Sequence, residues 1–190
     1  GLADVAGALP LALAQKGYDV RVVLPYYAQI RTAYGERLAD ACDFRLRLGW
    51  RNQYCGVKTL AQSGVTYYFI DNDFYFGRDY IYGVFNSEEA ERFGFFAKAI
   101  LEMMPHLNFF PDVLHLNDWQ TGMAAALLKT QYANLPGYVS VRTLFTIHNL
   151  RFQGVFERGF TDELLSLGAI AFDPAALEYC GSVSYMKGGL

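Results

Sequence analysis

The chain has 190 residues, of which 53% are hydrophobic and 18% are charged, and this composition predicts a folded domain rather than a disordered segment. Sixteen basic and nineteen acidic residues give a net charge of −3 without any run of Lys or Arg, which argues against a surface for nucleic acid or an anionic membrane. No apolar run reaches the roughly 18 residues of a membrane span. The three widely spaced cysteines, Cys42, Cys55 and Cys180, predict reduced thiols in a cytoplasmic protein rather than disulfides or a zinc site.

The first half of the chain shows a helical pattern followed by several strand patterns. Residues 5–16 are rich in alanine and precede a glycine, which predicts a helix with a glycine stop. Residues 18–24 form an apolar run that a proline ends, which predicts a buried strand. Two shorter strands follow at 42–48 and 54–60, joined as a hairpin, and a further strand is predicted at 65–70.

The second half predicts strands and helices in alternation. We predict helices at 87–104, 119–129, 161–167 and, from weaker signals, 174–187, with strands at 112–116 and 141–147. Ser87, followed by two glutamates, is typical of a helix N-cap. The alternation indicates an α/β fold of Rossmann-like type, with a parallel sheet and helices on both faces, in a single domain over 1–190. In such sheets ligands bind beyond the carboxyl ends of the strands.

Polar residues follow the strand predicted at 112–116. Asp118 lies at the N-cap position of the next helix, and Trp119 comes directly after it. Asp118 can therefore cap the helix, or its carboxylate can accept hydrogen bonds from the hydroxyls of a ligand, and one residue can do both. The indole of Trp119 is a candidate surface for packing against a sugar ring.

A second polar pair follows the strand predicted at 141–147. His148 and Asn149 lie at the same sheet edge as Asp118 if the two strands are parallel, and two polar clusters at one edge favour a binding site over simple capping. His148 could alternatively only order its own loop through its two ring nitrogens. His115 lies inside a predicted strand, where we expect a buried, hydrogen-bonded ring.

The N-terminus and the loop after residue 70 carry weaker signals. Gly1 leads into a helix whose N-terminal amide groups favour an anion, with Asp4 in the first turn. The loop over 71–83 contains several acids, but it lacks the glycine and the twelfth-position glutamate of a calcium loop, so we expect no metal there. Tyr82 in this loop is a candidate ligand contact, although packing is the commoner role of an aromatic residue in this chain.

Several blocks of the chain form an ordered set, namely residues 1–10, 72–76, 81–83, 91–93, 115–121, 146–154 and 184–190. In this order they resemble the bacterial glycogen synthases and plant starch synthases. Together they span nearly the whole chain, and such an ordered set is far more specific than any one block.

The resemblance implies the two-domain glycosyltransferase architecture called GT-B, with this chain as its N-terminal half. It implies transfer of glucose from ADP-glucose to the non-reducing end of an α-1,4-glucan with retention, without a metal or cofactor, in bacterial cytoplasm or a plant plastid. By resemblance, Asp118 and His148 are catalytic residues. The residues that the resemblance places in contact with substrate are Gly1, Asp4, Tyr82, Trp119 and Asn149.

Compared with that family, the chain lacks the first strand with its Lys-Thr-Gly and the whole C-terminal nucleotide-binding domain, which would be its partner. We therefore expect the isolated chain to be inactive and marginally stable, because it has no cation cluster for a diphosphate and an unpaired sheet edge. The sequence leaves open UDP-glucose as donor, and starch or glycogen as product. The alternatives are another GT-B nucleotide-sugar transferase, a non-catalytic glucan-binding domain, and a hydrolase, for which no nucleophile lies beside Asp118 and His148.

Overall fold

The computed structural model describes residues 1–84 and 86–190. Its helices are α1 (Leu2–Gln15), α2 (Ala28–Tyr34), α3 (Asp73–Phe76), α4 (Ser87–His106), α5 (Trp119–Leu127) and α6 (Arg158–Leu165). Its strands are β1 (Val20–Pro25), β2 (Ala39–Leu48), β3 (Arg51–Gln62), β4 (Val65–Asp71), β5 (Val113–Asn117), β6 (Arg142–Thr146), β7 (Val155–Phe156), β8 (Glu178–Tyr179) and β9 (Ser182–Ser184). Among these helices none is both long and apolar enough to cross a membrane.

The elements pack into two compact units. The first unit comprises Gly1–Arg45 and Tyr54–Tyr82, and the second comprises Leu46–Gln53 and Gly83–Leu190. The expectation of a single domain over 1–190 stays a prediction.

A four-stranded sheet has the order β1-β4-β3-β2, and it belongs to the first unit except for the end of β2 and the start of β3, within Leu46–Gln53. β1 and β4 are parallel, with Val20 opposite Val65, whereas β3 and β4 are antiparallel. The predicted hairpin is confirmed, because β2 and β3 are separated only by Gly49 and Trp50. The sheet is therefore mixed rather than wholly parallel, since short connections join β2, β3 and β4 directly and force neighbouring strands to run in opposite directions.

Helix α1 begins at Leu2 and ends before the predicted glycine stop at Gly17. It is apolar and contains Pro10, yet none of its 14 residues is buried. Helix α2 was not predicted from the sequence: it has only seven residues, and its N-cap makes no side-chain hydrogen bond, so the usual signals of a helix start are missing.

Helix α4 forms the centre of the second unit, with thirteen of its twenty residues buried, including Met103 and Met104. The N-cap predicted at Ser87 is wrong by one residue. Asn86 is the N-cap, and its Oδ1 accepts hydrogen bonds from the backbone N–H groups of Glu88 and Glu89 at 3.0 and 3.3 Å.

Two further sheets belong to the second unit. β5 and β6 form the predicted parallel pair, with Asn117 opposite Thr146 at their carboxyl ends. The helix predicted at 174–187 is wrong: this segment contains β8 and β9, and β9 pairs with both β7 and β8 in a three-stranded sheet. The α/β class and the parallel pairing of the strands are confirmed, although the parallel pairs lie in two separate sheets.

Candidate active site

The carboxyl ends of β5 and β6 bring three of the expected site residues together in the second unit. Because the two strands are parallel and in register at Asn117 and Thr146, the residues that follow them meet at one edge. The backbone N–H of Asp118 donates to the Thr146 carbonyl at 2.9 Å. His148 and Asn149 follow two and three residues later.

The carboxylate of Asp118 holds the loop after β6. Its Oδ1 accepts hydrogen bonds from the backbone N–H of His148 at 2.7 Å and of Asn149 at 3.3 Å. Asp118 occupies the N-cap position of α5 but makes no side-chain capping bond, so the helix-cap role expected for its carboxylate is not realised. Thr121 instead donates its hydroxyl to the carbonyls of Asn117 and Asp118 at 2.9 and 3.1 Å.

The backbone of Asp118 lies in a conformation that L-residues rarely adopt. Its φ is 58° and its ψ is 178°, a region that is essentially confined to glycine and costs about 1–3 kcal/mol for other residues. The side chain is only 7% exposed. Strain of this kind persists only where surrounding interactions fix it, and here the two hydrogen bonds from the loop after β6 do so.

The imidazole of His148 is tied back to the end of β5. Its Nε2 lies 2.9 Å from Oδ1 of Asn117, and because a carbonyl oxygen can only accept, Nε2 carries the proton in this arrangement. Nδ1 is then the ring nitrogen that can serve a ligand. Sequence reasoning assigned no role to Asn117, although it stands directly before Asp118 and ends a predicted strand.

The side chain of Asn149 shapes the loop that follows it. Its Oδ1 accepts from the backbone N–H of Arg151 at 3.1 Å, and its carbonyl accepts from the N–H of Phe152 at 3.4 Å. These two bonds form a tight turn that fixes the backbone after the strand end. Asn149 is exposed at this edge, and His148 is half-buried.

Trp119 lies in an aromatic cluster and not at the surface. It is 3% exposed and packs against Phe93, Phe156 and Tyr185 at ring-centroid distances of 5.0, 5.7 and 6.4 Å. The backbone of Gly154 passes so close that a Cβ there would collide with the indole. The sugar contact expected of Trp119 stays a prediction, while its role in this structure is to support the loop that carries Gly154.

His115 is hydrogen-bonded as expected, but it is half-buried rather than buried. Its Nε2 lies 2.8 Å from the hydroxyl of Thr146 on the neighbouring strand. Burial lowers the pKa of this imidazole, and the nearby His148 lowers it further, because both disfavour the protonated form of the ring. The ring thus helps to pair β5 with β6 in its neutral form.

The other expected site residues lie in the first unit. Gly1 is the N-cap of α1, and Asp4 lies in the first turn of that helix. Tyr82 is 64% exposed in the loop that ends this unit. The expectation that Gly1, Asp4 and Tyr82 contact substrate stays a prediction.

The described residues include no group of three His, Cys, Asp or Glu side chains placed to hold a metal ion. What the edge of β5 and β6 offers is a set of hydrogen-bonding groups on a fixed backbone. An imidazole nitrogen, an exposed amide and backbone groups suit the hydroxyls of a sugar, which both donate and accept hydrogen bonds.

Comparison with known proteins identifies the family to which the chain belongs. The family model described as starch synthase catalytic domain matches residues 1–190. The glycogen synthases of Desulforamulus reducens and Geobacillus thermodenitrificans are 49% and 48% identical over 190 residues, which are all of this chain and 39% of each of those proteins. The glycogen synthase of Clostridioides difficile is 45% identical over 194 residues, covering all of this chain and 40% of that protein.

A solved structure shows the same fold. The catalytic domain of starch synthase IV from Arabidopsis thaliana, bound to ADP and acarbose, matches with a TM-score of 0.83 and 25% identity over all of this chain and 39% of that one. The chain thus spans about two fifths of the length of the relatives it matches. With a family model covering every residue, the chain belongs to the starch synthase catalytic domain family.

Proposed function

We propose that this chain is the sugar-holding N-terminal part of a glucosyltransferase that moves glucose from ADP-glucose to the non-reducing end of an α-1,4-glucan, with retention at the anomeric carbon. The observation that carries the proposal is the constellation of Asp118, His148 and Asn149 at one strand edge, in a chain 49% identical to a glycogen synthase. A structural relative was solved with ADP and acarbose bound, which supports a nucleotide-sugar donor and a glucan acceptor.

The reaction breaks the bond between the anomeric carbon and the diphosphate, whose electron pair leaves with ADP. The O4 hydroxyl of the acceptor forms the new glycosidic bond, and its proton passes to the departing diphosphate. Such a transfer gains most from orientation of the sugar and from fixed dipoles around the developing positive charge. His148 and Asn149 supply these groups for the sugar hydroxyls, and Asn117 fixes the orientation of the imidazole.

Asp118 serves this reaction as a positioning residue. Its accepting oxygen already serves the backbone N–H groups of His148 and Asn149, so it places both side chains relative to the end of β5. We assign the phosphate-binding cations to a further domain of the same protein, in keeping with the greater length of the relatives. We place the protein in the cytoplasm, or in the plastid if its source is a plant, in keeping with its bacterial relatives and three free thiols.

A segment exchange tests the proposal. Residues 1–190 replace the matching segment of the Desulforamulus reducens glycogen synthase, and release of ADP and UDP is measured with each nucleotide-glucose and glycogen. We expect this chimera to release ADP, and the 190-residue chain alone to release none. A chimera that folds and binds glycogen without releasing either nucleotide would support the alternative of a glucan-binding domain.

Two variants of the chimera locate the chemistry. His148→Ala and Asn149→Ala should each lower kcat/KM by about 100-fold or more. Losses of this size follow the removal of one preorganised hydrogen-bonding group that stabilises transition-state charge in other enzymes. His106→Ala is the matched control, because His106 lies at the exposed end of α4. Equal activity of His148→Ala and His106→Ala would show that the strand edge does not hold the sugar.

A further inference from the structure

A shallow groove with a volume of about 320 Å³ follows the candidate site along the chain. It is lined by Arg151, Phe152, Gln153, Gly154, Val155 and Tyr179, and is called the aromatic groove below. Phe152 and Tyr179 are 45% and 41% exposed. Large apolar rings held at a concave surface are the usual walls of a small-molecule site.

The walls of the aromatic groove stand on a fixed scaffold. The carbonyls of Gln153 and Gly154 accept backbone N–H bonds from Met186 and Tyr185 at 3.1 and 2.8 Å. Gly154, with φ at +59°, lies against the buried indole of Trp119. The groove is therefore held in place before any ligand arrives, which lowers the entropic cost of binding.

Sheet register places two lining residues on the same face. Val155 of β7 lies opposite Ser184, and Tyr179 of β8 lies opposite Ser182 on the central strand β9. Residues two apart on a strand share a face, so Val155 and Tyr179 lie on the same face of this sheet. The hydroxyl of the buried Ser184 donates to the Gln153 carbonyl at 3.3 Å, which ties the groove lining to the central strand.

The chemistry of the lining selects among ligands. It contains one cation, Arg151, one amide, Gln153, and no carboxylate. A single cation is too little for a nucleic acid, whose binding depends on several phosphate contacts. A neutral oligosaccharide fits better, because the C–H face of a pyranose packs on aromatic rings while its hydroxyls meet amide and guanidinium donors.

The aromatic groove is also continuous with the candidate site. Asn149 accepts the backbone N–H of Arg151 through its side chain and that of Phe152 through its carbonyl, so the same short turn carries the sugar-binding amide and the first groove wall. The lining of the groove therefore begins two residues after Asn149.

We infer that the aromatic groove is an acceptor subsite that holds a remote part of an α-1,4-glucan, with Phe152 and Tyr179 as stacking platforms. This inference rests on the proposed function, since it assigns a longer acceptor to the same site. A subsite of this kind binds ground state and transition state equally, so it lowers the KM for long acceptors and leaves kcat unchanged.

The chimera tests the inference with acceptors of increasing length, from maltose to maltoheptaose. We expect the KM of the parent chimera to fall with length, and the double variant Phe152→Ala/Tyr179→Ala to raise the KM for maltoheptaose by about tenfold, with kcat and the KM for maltose unchanged. Phe172→Ala is the control, because Phe172 is similarly exposed in the same unit but lies outside the groove. Val155→Arg, on an exposed strand position, fills the groove without removing a ring and covers the case in which the double variant fails to fold.

The outcomes separate the two proposals. A chimera that releases no ADP contradicts the proposed function, whatever the groove does. A chimera that releases ADP while the double variant and Val155→Arg keep the full dependence on acceptor length contradicts the subsite. A rise in the KM for ADP-glucose alone would make the groove part of the donor site and would overturn the inference as well.

Discussion

One oxygen of the Asp118 carboxylate accepts the backbone N–H of His148 at 2.7 Å, across thirty residues of sequence. The bond joins the ends of two parallel strands through a side chain whose own backbone is strained, with φ at 58°. A strained, buried carboxylate that holds a neighbouring loop is the arrangement expected where geometry matters more than stability.

Asp118→Ala should lower both stability and activity. Two backbone N–H groups lose their acceptor, which costs about 1–3 kcal/mol of unfolding free energy. Displacement of His148 and Asn149 should lower kcat/KM of the chimera by about 100-fold. Thermal unfolding and steady-state kinetics measure the two effects.

Two further substitutions at Asp118 distinguish its roles. Asp118→Asn keeps an accepting oxygen, so it should retain most of the stability and most of the activity if the residue acts through the loop. Asp118→Gly removes the acceptor and also the backbone strain, so it should be more stable than Asp118→Ala and as inactive. Retained stability in Asp118→Asn together with a full loss of kcat would instead show that the carboxylate's charge acts on the substrate.

The N-terminus of α4 gives a matched pair of substitutions. Asn86→Ala removes an oxygen that accepts two backbone N–H groups and should cost about 1 kcal/mol, which lowers the Tm by a few degrees. Ser87→Ala, one residue later and inside the helix, should change the Tm little. An equal fall in Tm for the two alanine variants would contradict the assignment of Asn86 as the N-cap.

Sequence patterns predicted the α/β class and the alternation of elements because these depend on periodicity that each segment carries by itself. They also placed Asp118, His148 and Asn149 at one edge, because the carboxyl ends of parallel strands must meet. They misjudged the Asp118 side chain, since a local capping rule was applied where a contact thirty residues away determines the conformation.

The helix predicted at 174–187 failed for a similar reason. Its alanines favour a helix, but Cys180 and Gly181 adopt φ values of 50° and 82° and form a turn between β8 and β9. The partner strand β7 comes from residues 155 and 156, and no pattern within 174–187 indicates that pairing. Tertiary pairing overrides local propensity in such short strands.

The lowered pKa of His115 predicts a pH dependence of stability. Because burial depresses the pKa in the folded chain below the ordinary value of 6.5, the unfolded chain binds more protons at acidic pH, and the unfolding free energy falls as the pH drops below about 6.5. His115→Gln cannot take up this proton. The Tm difference between the parent chain and His115→Gln should therefore move in favour of the variant between pH 7.5 and pH 5, and parallel Tm curves over this range would contradict the prediction.

Alanine substitutions at Gly154 and Gly168 distinguish the cost of backbone strain from the cost of a steric collision. Gly154 lies in the loop that supports the site, and Gly168 lies outside that loop. Both have φ close to +60°, but a Cβ at Gly154 would meet the ring of Trp119, whereas a Cβ at Gly168 meets nothing within 4 Å. Gly168→Ala should thus cost only the backbone term of about 1–2 kcal/mol and keep the activity of the chimera. Gly154→Ala should cost about 1–3 kcal/mol more, because it overpacks a buried indole, and should lower kcat/KM by moving the turn at Asn149. Equal Tm values for the two alanine variants would show that the loop can move away from Trp119 without loss, and that the indole does not fix the site.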